Sequence, residues 1–369
     1  MIFTNIFRYI NQDSKPLYFR FWSNCILIKG YSKSILYDMF RCRSVNVSSF
    51  FYNCYERYAN IPVRDIAGDY SFMERRGYLK MIDYFIKNDF GILVDDVDTL
   101  PPISMEYDTP YLATNVIVET NSDIYFNRLI QILNILSYEK IQALQINDYG
   151  HLSLQQFQQI SESLRSSSIE AVHIYSRYSE SYTQKQLSFM HDNRRLRQIT
   201  LMESPIDKKM DDDSFVQGTV LFVRNVIDYS NCGNIGKKYF VTAQPFIIEA
   251  HTCNTCLNRK VCINIDGEVK NCPLMSESYG NIFQQPIRVI VEKDDFKKKW
   301  YLNKTMIDVC KDCEYRYFCT DCRHFVKDKK NIYSQPAKCN YNPYIAKWSD
   351  EDGYISVEES LAQINSYYQ

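Results

Sequence analysis

Nine of the thirteen cysteines fall between residues 253 and 339. They run Cys253-x2-Cys256-x5-Cys262-x9-Cys272, then, after a gap of 37 residues, Cys310-x2-Cys313-x5-Cys319-x2-Cys322, and last Cys339. A two-residue spacer lets two thiolates converge on one metal centre through a tight turn, a device shared by zinc sites and iron–sulfur clusters. Eight thiolates suit two four-iron clusters or two zinc sites, so the count leaves both open. Histidine in the motif would favour zinc, but His251 and His324 adjoin cysteines off the spacing. The other four, Cys25, Cys42, Cys54 and Cys232, are scattered.

Composition narrows the setting for these ligands. The chain has 369 residues, of which 45% are apolar, enough for two or three domains with buried cores. Its net charge of −1 gives no electrostatic case for nucleic acid or an anionic membrane as partner. No apolar run reaches the roughly 18 residues of a membrane span. The opening "MIFTNIFRYINQDSKPLYF" lacks the features of a secretory signal. A cytoplasmic location is expected, where thiols stay reduced and clustered cysteines bind metal rather than form disulfides.

The elements that must position the cysteines fall into three stretches. In residues 20–96, "CILIKGYSKSILYDM" predicts a hairpin around Gly30-Tyr31-Ser32. "VNVSSFFYNCYERY" reads as helical, "IPVRDI" as a short helix opening at Pro62, and "YLKMIDYFIKNDFGILV" as a helix breaking at Gly91 into a strand. Hairpin, three helices and strand make a small winged-helix-like unit, assigned to residues 1–108.

Residues 109–245 alternate strands and helices. "TNVIVET", "IQALQIND", "EAVHIYS", "RQITLME" and "TVLFVRN" are strand candidates. "DIYFNRLIQILNIL" is helical, as is the stretch from Ser153, where Gln156 completes a capping box ahead of Leu154, Phe157, Ile160 and Leu164. A further helix is predicted around Tyr182–Asp192. This α/β alternation implies a parallel sheet, open or curled into a partial barrel. His173 lies within one strand and is read as a packing residue. The charge runs "DKKMDDD" and "EKDDFKKKW" read as solvated turns.

Residues 246–345 hold the cysteines, rich in turns and poor in periodic segments, so metal would organise them. Residues 346–369 form a tail. "CINIDGEVKNCP" reads as a strand, an Asp266-Gly267 turn and a second strand that aims Cys272 inward, with "YGNI" after it. This block resembles the SPASM domain, the auxiliary-cluster module at the C-terminus of many radical SAM peptide-modifying enzymes. That family's pattern is C, a spacer, G-x4-C, a gap, C-x2-C-x5-C-x3-C, a gap and a last C. Here Cys322 comes one residue early. The resemblance implies two [4Fe–4S] clusters, one on Cys253, Cys256, Cys272 and Cys322, the other on Cys310, Cys313, Cys319 and Cys339. Cys262 is a possible ninth ligand, or replaces Cys253.

A radical SAM enzyme also needs C-x3-C-x2-C after its first barrel strand, to leave one iron open for S-adenosylmethionine. "VIVETNSDIYFNRL" has no cysteine at the equivalent place. The middle region is therefore read as a degenerate radical SAM-type (β/α) partial barrel, with S-adenosylmethionine not expected as a cofactor. "ILIKGYSKSILYDM", "FIKNDFGILV" and "CNTCLNRK…GEVKNCPLMS…YGNI" make the sequence similar to the SPASM-domain peptide maturases of grasp-with-spasm systems. That resemblance implies a ribosomal precursor peptide and an ATP-grasp ligase as partners. The N-terminal unit is similar to precursor-recognition domains, which bind a leader peptide as an added strand. Its edge would lie in Cys25–Tyr37, its flanking helix in Tyr78–Asn88. Other readings are a non-catalytic leader-binding scaffold that uses metal only for folding, and a zinc-binding module.

Overall fold

The computed structural model describes residues 15–66, 72–182, 193–210, 218–226 and 228–367. The helix expected around Tyr182–Asp192 lies largely outside them, as does the acidic end of "DKKMDDD". The chain divides into two units: residues 1–107, 233–255 and 303–369 form the first, and 108–232 and 256–302 the second.

In the first unit, β1 (Tyr18–Phe21) leads into an antiparallel sheet of β2 (Cys25–Lys29), β3 (Lys33–Asp38) and β4 (Arg43–Ser48) in that spatial order. The hairpin is where the alternating apolar residues put it, with Cys25 opposite Asp38 and Lys29 opposite Ser34. The "VNV" segment expected to be helical is instead strand β4, pairing along all of β3. Two β-branched valines alternating with polar residues favour the pleat over the helix. The helix α1 (Ser49–Tyr58) starts only at Ser48, whose Oγ accepts from the Phe51 N–H at 3.2 Å. A 3-10 turn (Val63–Asp65) and α2 (Phe72–Lys87) follow, then β5 (Gly91–Val94), which pairs antiparallel with β1 rather than with the hairpin.

Aromatic rings fill this unit. Phe19, Phe21, Phe51, Tyr58, Tyr78 and Phe85 are buried together, with Phe21 and Phe85 centroids 5.2 Å apart edge to face. Strand β3 is buried on both faces. Leu36 enters the aromatic core, while Ile35 and Tyr37 pack on the other side against Ile247 and Phe318. The three-stranded sheet is thus the platform on which the second cysteine block rests.

The second unit is an α/β fold around an eight-stranded, mostly parallel sheet. The strands β6 (Ala113–Thr120), β7 (Ile141–Asp148), β8 (Ala171–Arg177) and β9 (Leu196–Met202) lie side by side and parallel, followed by β11 (Thr219–Phe222) and the antiparallel β10 (Lys208–Met210). On the other side of β6 come β12 (Lys260–Ile263) and β13 (Val269–Lys270), contributed by the cysteine-rich hairpin. Helices α3 (Ser122–Ser137) and α4 (Leu154–Leu164) bury Leu129, Leu133, Phe157 and Ile160 with Val116, Val118, Leu144 and Ile146. The capping box at Ser153 is complete: its Oγ accepts from the Gln156 N–H at 3.2 Å, and the Gln156 side chain accepts from the Ser153 N–H at 2.8 Å. No helix among the described residues is long and apolar enough to cross a membrane.

Candidate metal centre

Helix α5 (Gln244–Thr252) ends at Cys253, a buried C-cap whose N–H donates to the Glu249 carbonyl. The next residue, Asn254, is fully buried and donates to Asp321 Oδ2 at 3.0 Å. Asp321 also pairs at 2.5 Å with Arg323, both side chains being out of solvent. These bonds tie the turn after α5 to the Cys319–Cys322 turn of the same unit.

The second block is built from irregular backbone. Val309 sits in the left-handed region at φ 66°, opening a 3-10 turn over Cys310–Asp312. The Cys313 N–H closes on the Cys310 carbonyl at 3.0 Å, so the two-residue spacer forms the tight turn its length predicts. Cys313 Sγ accepts from the Tyr315 N–H, and Cys322 Sγ from the Phe325 N–H, each at 3.4 Å. Backbone donors aimed at sulfur are what a ligating thiolate uses to spread its charge.

Cys310, Cys313, Cys319 and Cys339 act electrostatically on one another. Burial pushes the Cys310 thiol up to about 12, with Cys339, Asp321 and Cys319 adding to the shift and Lys304 opposing it. Burial likewise raises Cys319 to about 11, with Cys339 and Asp321 adding and Lys304 again opposing. Cys313 stands well above the usual thiol range through burial, Glu314 and the other three cysteines. Cys310 and Cys319 are buried and Cys313 and Cys339 half-buried. They suit a bound cationic centre that offsets their charge and takes all four as thiolates. Among the described residues no three His, Cys, Asp or Glu side chains converge as a ready single-ion site.

The other four predicted ligands are divided between the units. Cys253 and Cys322 belong to the first, Cys256 and Cys272 to the second. Cys322 is buried beside Gly233. Cys256 and Cys272 are half-buried against the apolar core of the second unit. The Asp266-Gly267 turn is as predicted, with Gly267 at φ 82° and Ile263 opposite Val269.

Cys262 is in the sheet itself, fully buried in β12 opposite Ile117. Its Sγ lies 3.9 Å from Glu119 Oε2, and burial, Glu119 and Cys272 raise its thiol above the usual range. Sequence reasoning missed this neighbourhood. Glu119 Oε1 accepts from the hydroxyls of Tyr149 and Tyr229, both at 2.8 Å, and Asn147 Nδ2 donates to Tyr229 Oη at 2.8 Å. Gln145 donates to Asn147, and Gln198 to Thr200. Burial raises Tyr149 to about 12, helped by Glu119. His173, placed opposite Gln145 and Gln198, is half-buried on this same row, and burial lowers its pKa. One face of the parallel sheet is therefore polar, whereas such sheets are ordinarily apolar on both faces. The signal was present as Gln145 and Asn147, and as Gln198 and Thr200, at alternate positions. Tyr229 comes from an irregular turn that no periodicity marks.

In the first unit a cavity of about 560 Å³ lies beside β2, lined by Phe21, Cys25, Ile26, Leu27, Tyr55 and Leu100 among others. Its helical lining is Tyr55 of α1 and His251 of α5, not α2, whose Tyr78, Ile82 and Phe85 are committed to the aromatic core.

Residues 253–314 match the family model of an iron–sulfur cluster-binding domain, SPASM. This span carries the first cysteine block and opens the second. No curated protein matches the chain. Among solved structures, SuiB of Streptococcus suis aligns with a TM-score of 0.38 and 11% identity over 88% of this chain and 99% of that one. Two further structures of that protein, bound to S-adenosylmethionine and to the precursor peptide SuiA, align with TM-scores of 0.31 and 0.30 at 11% and 10% identity, over 88% and 86% of this chain and 99% and 98% of theirs. Scores in this range do not establish a shared fold.

Proposed function

We propose that this chain is a peptide-maturation protein with two [4Fe–4S] clusters that handles a ribosomally made precursor together with an ATP-grasp ligase. The observation that carries the reading is the cysteine array: Cys253, Cys256, Cys272, Cys310 and Cys313 lie within the span that matches an iron–sulfur domain model, and Cys319, Cys322 and Cys339 follow it, Cys322 one residue early for the SPASM pattern. Cys310, Cys313, Cys319 and Cys339 would hold one cluster. Cys253, Cys256, Cys272 and Cys322 would hold the other, with Cys262 an alternative to Cys253 because it lies near Cys272. Clusters with every iron on cysteine supply electron transfer or structural cross-linking, and offer no open iron to a substrate. The chain's own residues do the rest. Backbone N–H groups at Tyr315 and Phe325 orient thiolates, and Asp321, Asn254 and Arg323 fix the turns that present them.

A precursor peptide would add as a strand to the outer edge of β2, where the cavity offers apolar walls to its side chains. The second unit is read as a degenerate radical SAM-type barrel. Lack of a C-x3-C-x2-C triplet in the sequence supports a maturation role without S-adenosylmethionine cleavage. Iron and sulfide analysis with Mössbauer spectroscopy on protein purified without oxygen tests the reading. About eight irons per chain in [4Fe–4S] form are expected. Stoichiometric zinc with negligible iron would replace it with a zinc-stabilised binding protein, and about twelve irons would reveal a third cluster and reopen radical chemistry.

A further inference from the structure

Strand β2 stands at the edge of its sheet. The Asn24 carbonyl accepts from the Met39 N–H, and the Gly30 N–H donates to the Lys33 carbonyl, each at 3.0 Å. Bonded pairs alternate in an antiparallel ladder, so Cys25, Leu27 and Lys29 turn their backbone groups outward, away from β3. Both ends of this outer edge are closed. The Ser23 carbonyl accepts from the Ile103 N–H at 3.2 Å, and the Lys29 carbonyl from Arg316 Nη1 at 2.5 Å. Between them the Cys25 carbonyl, both backbone groups of Leu27 and the Lys29 N–H have no partner among the described residues. The chain's own residues 102–107 alternate exposed and half-buried, as a strand does, with Ile103 and Met105 packed in one cluster with Ile26 and Ile28. Leu100, Pro101 and Pro102, which precede Ile103, line the cavity with Cys25, Ile26 and Leu27, so the segment runs antiparallel to β2. Two residues back from Ile103, the next donor to this edge would be residue 101, facing the Cys25 carbonyl. Residues 101 and 102 are prolines and have no N–H to give.

We propose that Pro101 and Pro102 hold the β2 edge open by stopping the chain's own segment from completing the ladder, and that the cavity of about 560 Å³ between them and β2 is a slot for an extended peptide segment. The inference rests on the peptide reading above and gives it a register. A strand entering antiparallel to β2 would donate to and accept from Leu27. Two residues on it would donate to the Cys25 carbonyl, and two residues back it would accept from the Lys29 N–H. The window is the length of β2, five residues. The peptide residues facing Leu27 and Cys25 must carry an N–H, so proline at either place excludes a peptide. Open edges ordinarily recruit other chains without selection. Here the bonds from Ile103 and Arg316 confine the opening to one short strand.

The test uses the full chain as wild type, as the double variant Pro101→Ala with Pro102→Ala, and as Pro110→Ala, a proline outside the cavity lining. Hydrogen–deuterium exchange is read at the Leu27 and Lys29 amides. Fluorescence anisotropy follows a short labelled peptide of alternating valine and threonine, and the same peptide N-methylated throughout. In wild type and Pro110→Ala both amides are expected to exchange fast, and to slow with the plain peptide but not with the methylated one. In the double variant Leu27 should exchange slowly without any peptide, and the plain peptide should bind about three- to tenfold more weakly, the worth of one hydrogen bond. Equal exchange and equal affinity in wild type and double variant would overturn the role of the prolines. A slow Leu27 amide in the free wild type, or no binding of the plain peptide, would overturn the slot. Should the double variant unfold, Pro101→Ala alone restores the donor that faces Cys25 and gives the same comparison. Iron is counted on the same samples: zinc in its place with the slot intact would remove the cluster reading alone, and iron–sulfur with no slot would remove this inference alone.

Discussion

A methyl group at residue 233 would stand 2.9 Å from Cys322 Cβ and 3.1 Å from its Sγ, and Gly233 holds φ 71°. Alanine there suffers on two counts: left-handed backbone costs about 1 kcal/mol, and the thiol must move to make room. Gly233→Ala is expected to lower the melting temperature and to cut iron per chain, because Cys322 leaves its cluster-ready place. A variant with wild-type iron and stability would show that Cys322 is not held in position by this contact. At this scale the cysteines were legible and their supports were not. Thiol spacing is local, so Cys310-x2-Cys313 announces its own turn. Gly233 and Asn254 matter through neighbours tens of residues away, Cys322 and Asp321, and nothing in their own sequence surroundings says so.

Among the elements, α4 shows how far local pattern reaches. Ser153 and Gln156 mark the start of the helix, and Phe157, Ile160 and Leu164 its buried stripe, all readable at sight. Ser153→Ala removes the acceptor for the Gln156 N–H and is expected to cost about 1 kcal/mol in urea unfolding without changing the fold. Strand β4 was harder, because "VNV" ahead of a helix has too few residues to display a period of two. Strand β12 could be read as half of a hairpin but not as a member of the large sheet. Its partner β6 is remote in sequence, and pairing between them leaves no local trace. The polar face of that sheet was visible strand by strand. Tyr229, which closes over Glu119, was not.

For the molecule as a whole, acid should act on the first unit through Asp38. This carboxylate is fully buried, which opposes its ionisation, yet Arg41, Arg43 and the Phe40 and Arg41 N–H groups hold it below the usual range. A lowered folded value means the stabilisation is present above the unfolded value of about 4 and is lost as pH falls through the folded one. Asp38→Asn is expected to cost about 2 kcal/mol at pH 7. In urea titrations the gap between the two chains should narrow below about pH 4. A gap that does not depend on pH would remove the ionised carboxylate from the account.

Translation order gives the pairing of β6 with β12 a further meaning. The ladder from β6 to β9 can zip up while β12 is still to be synthesised, leaving the apolar edge of β6, "ATNVIVET", without a partner. Open edges of this kind recruit other chains. Val116 meets Val261 only after all the intervening chain has been made, and the first unit waits longer still for residues beyond 303. The nascent protein therefore passes through a period in which the β6 edge stands open, before β12 exists to cover it.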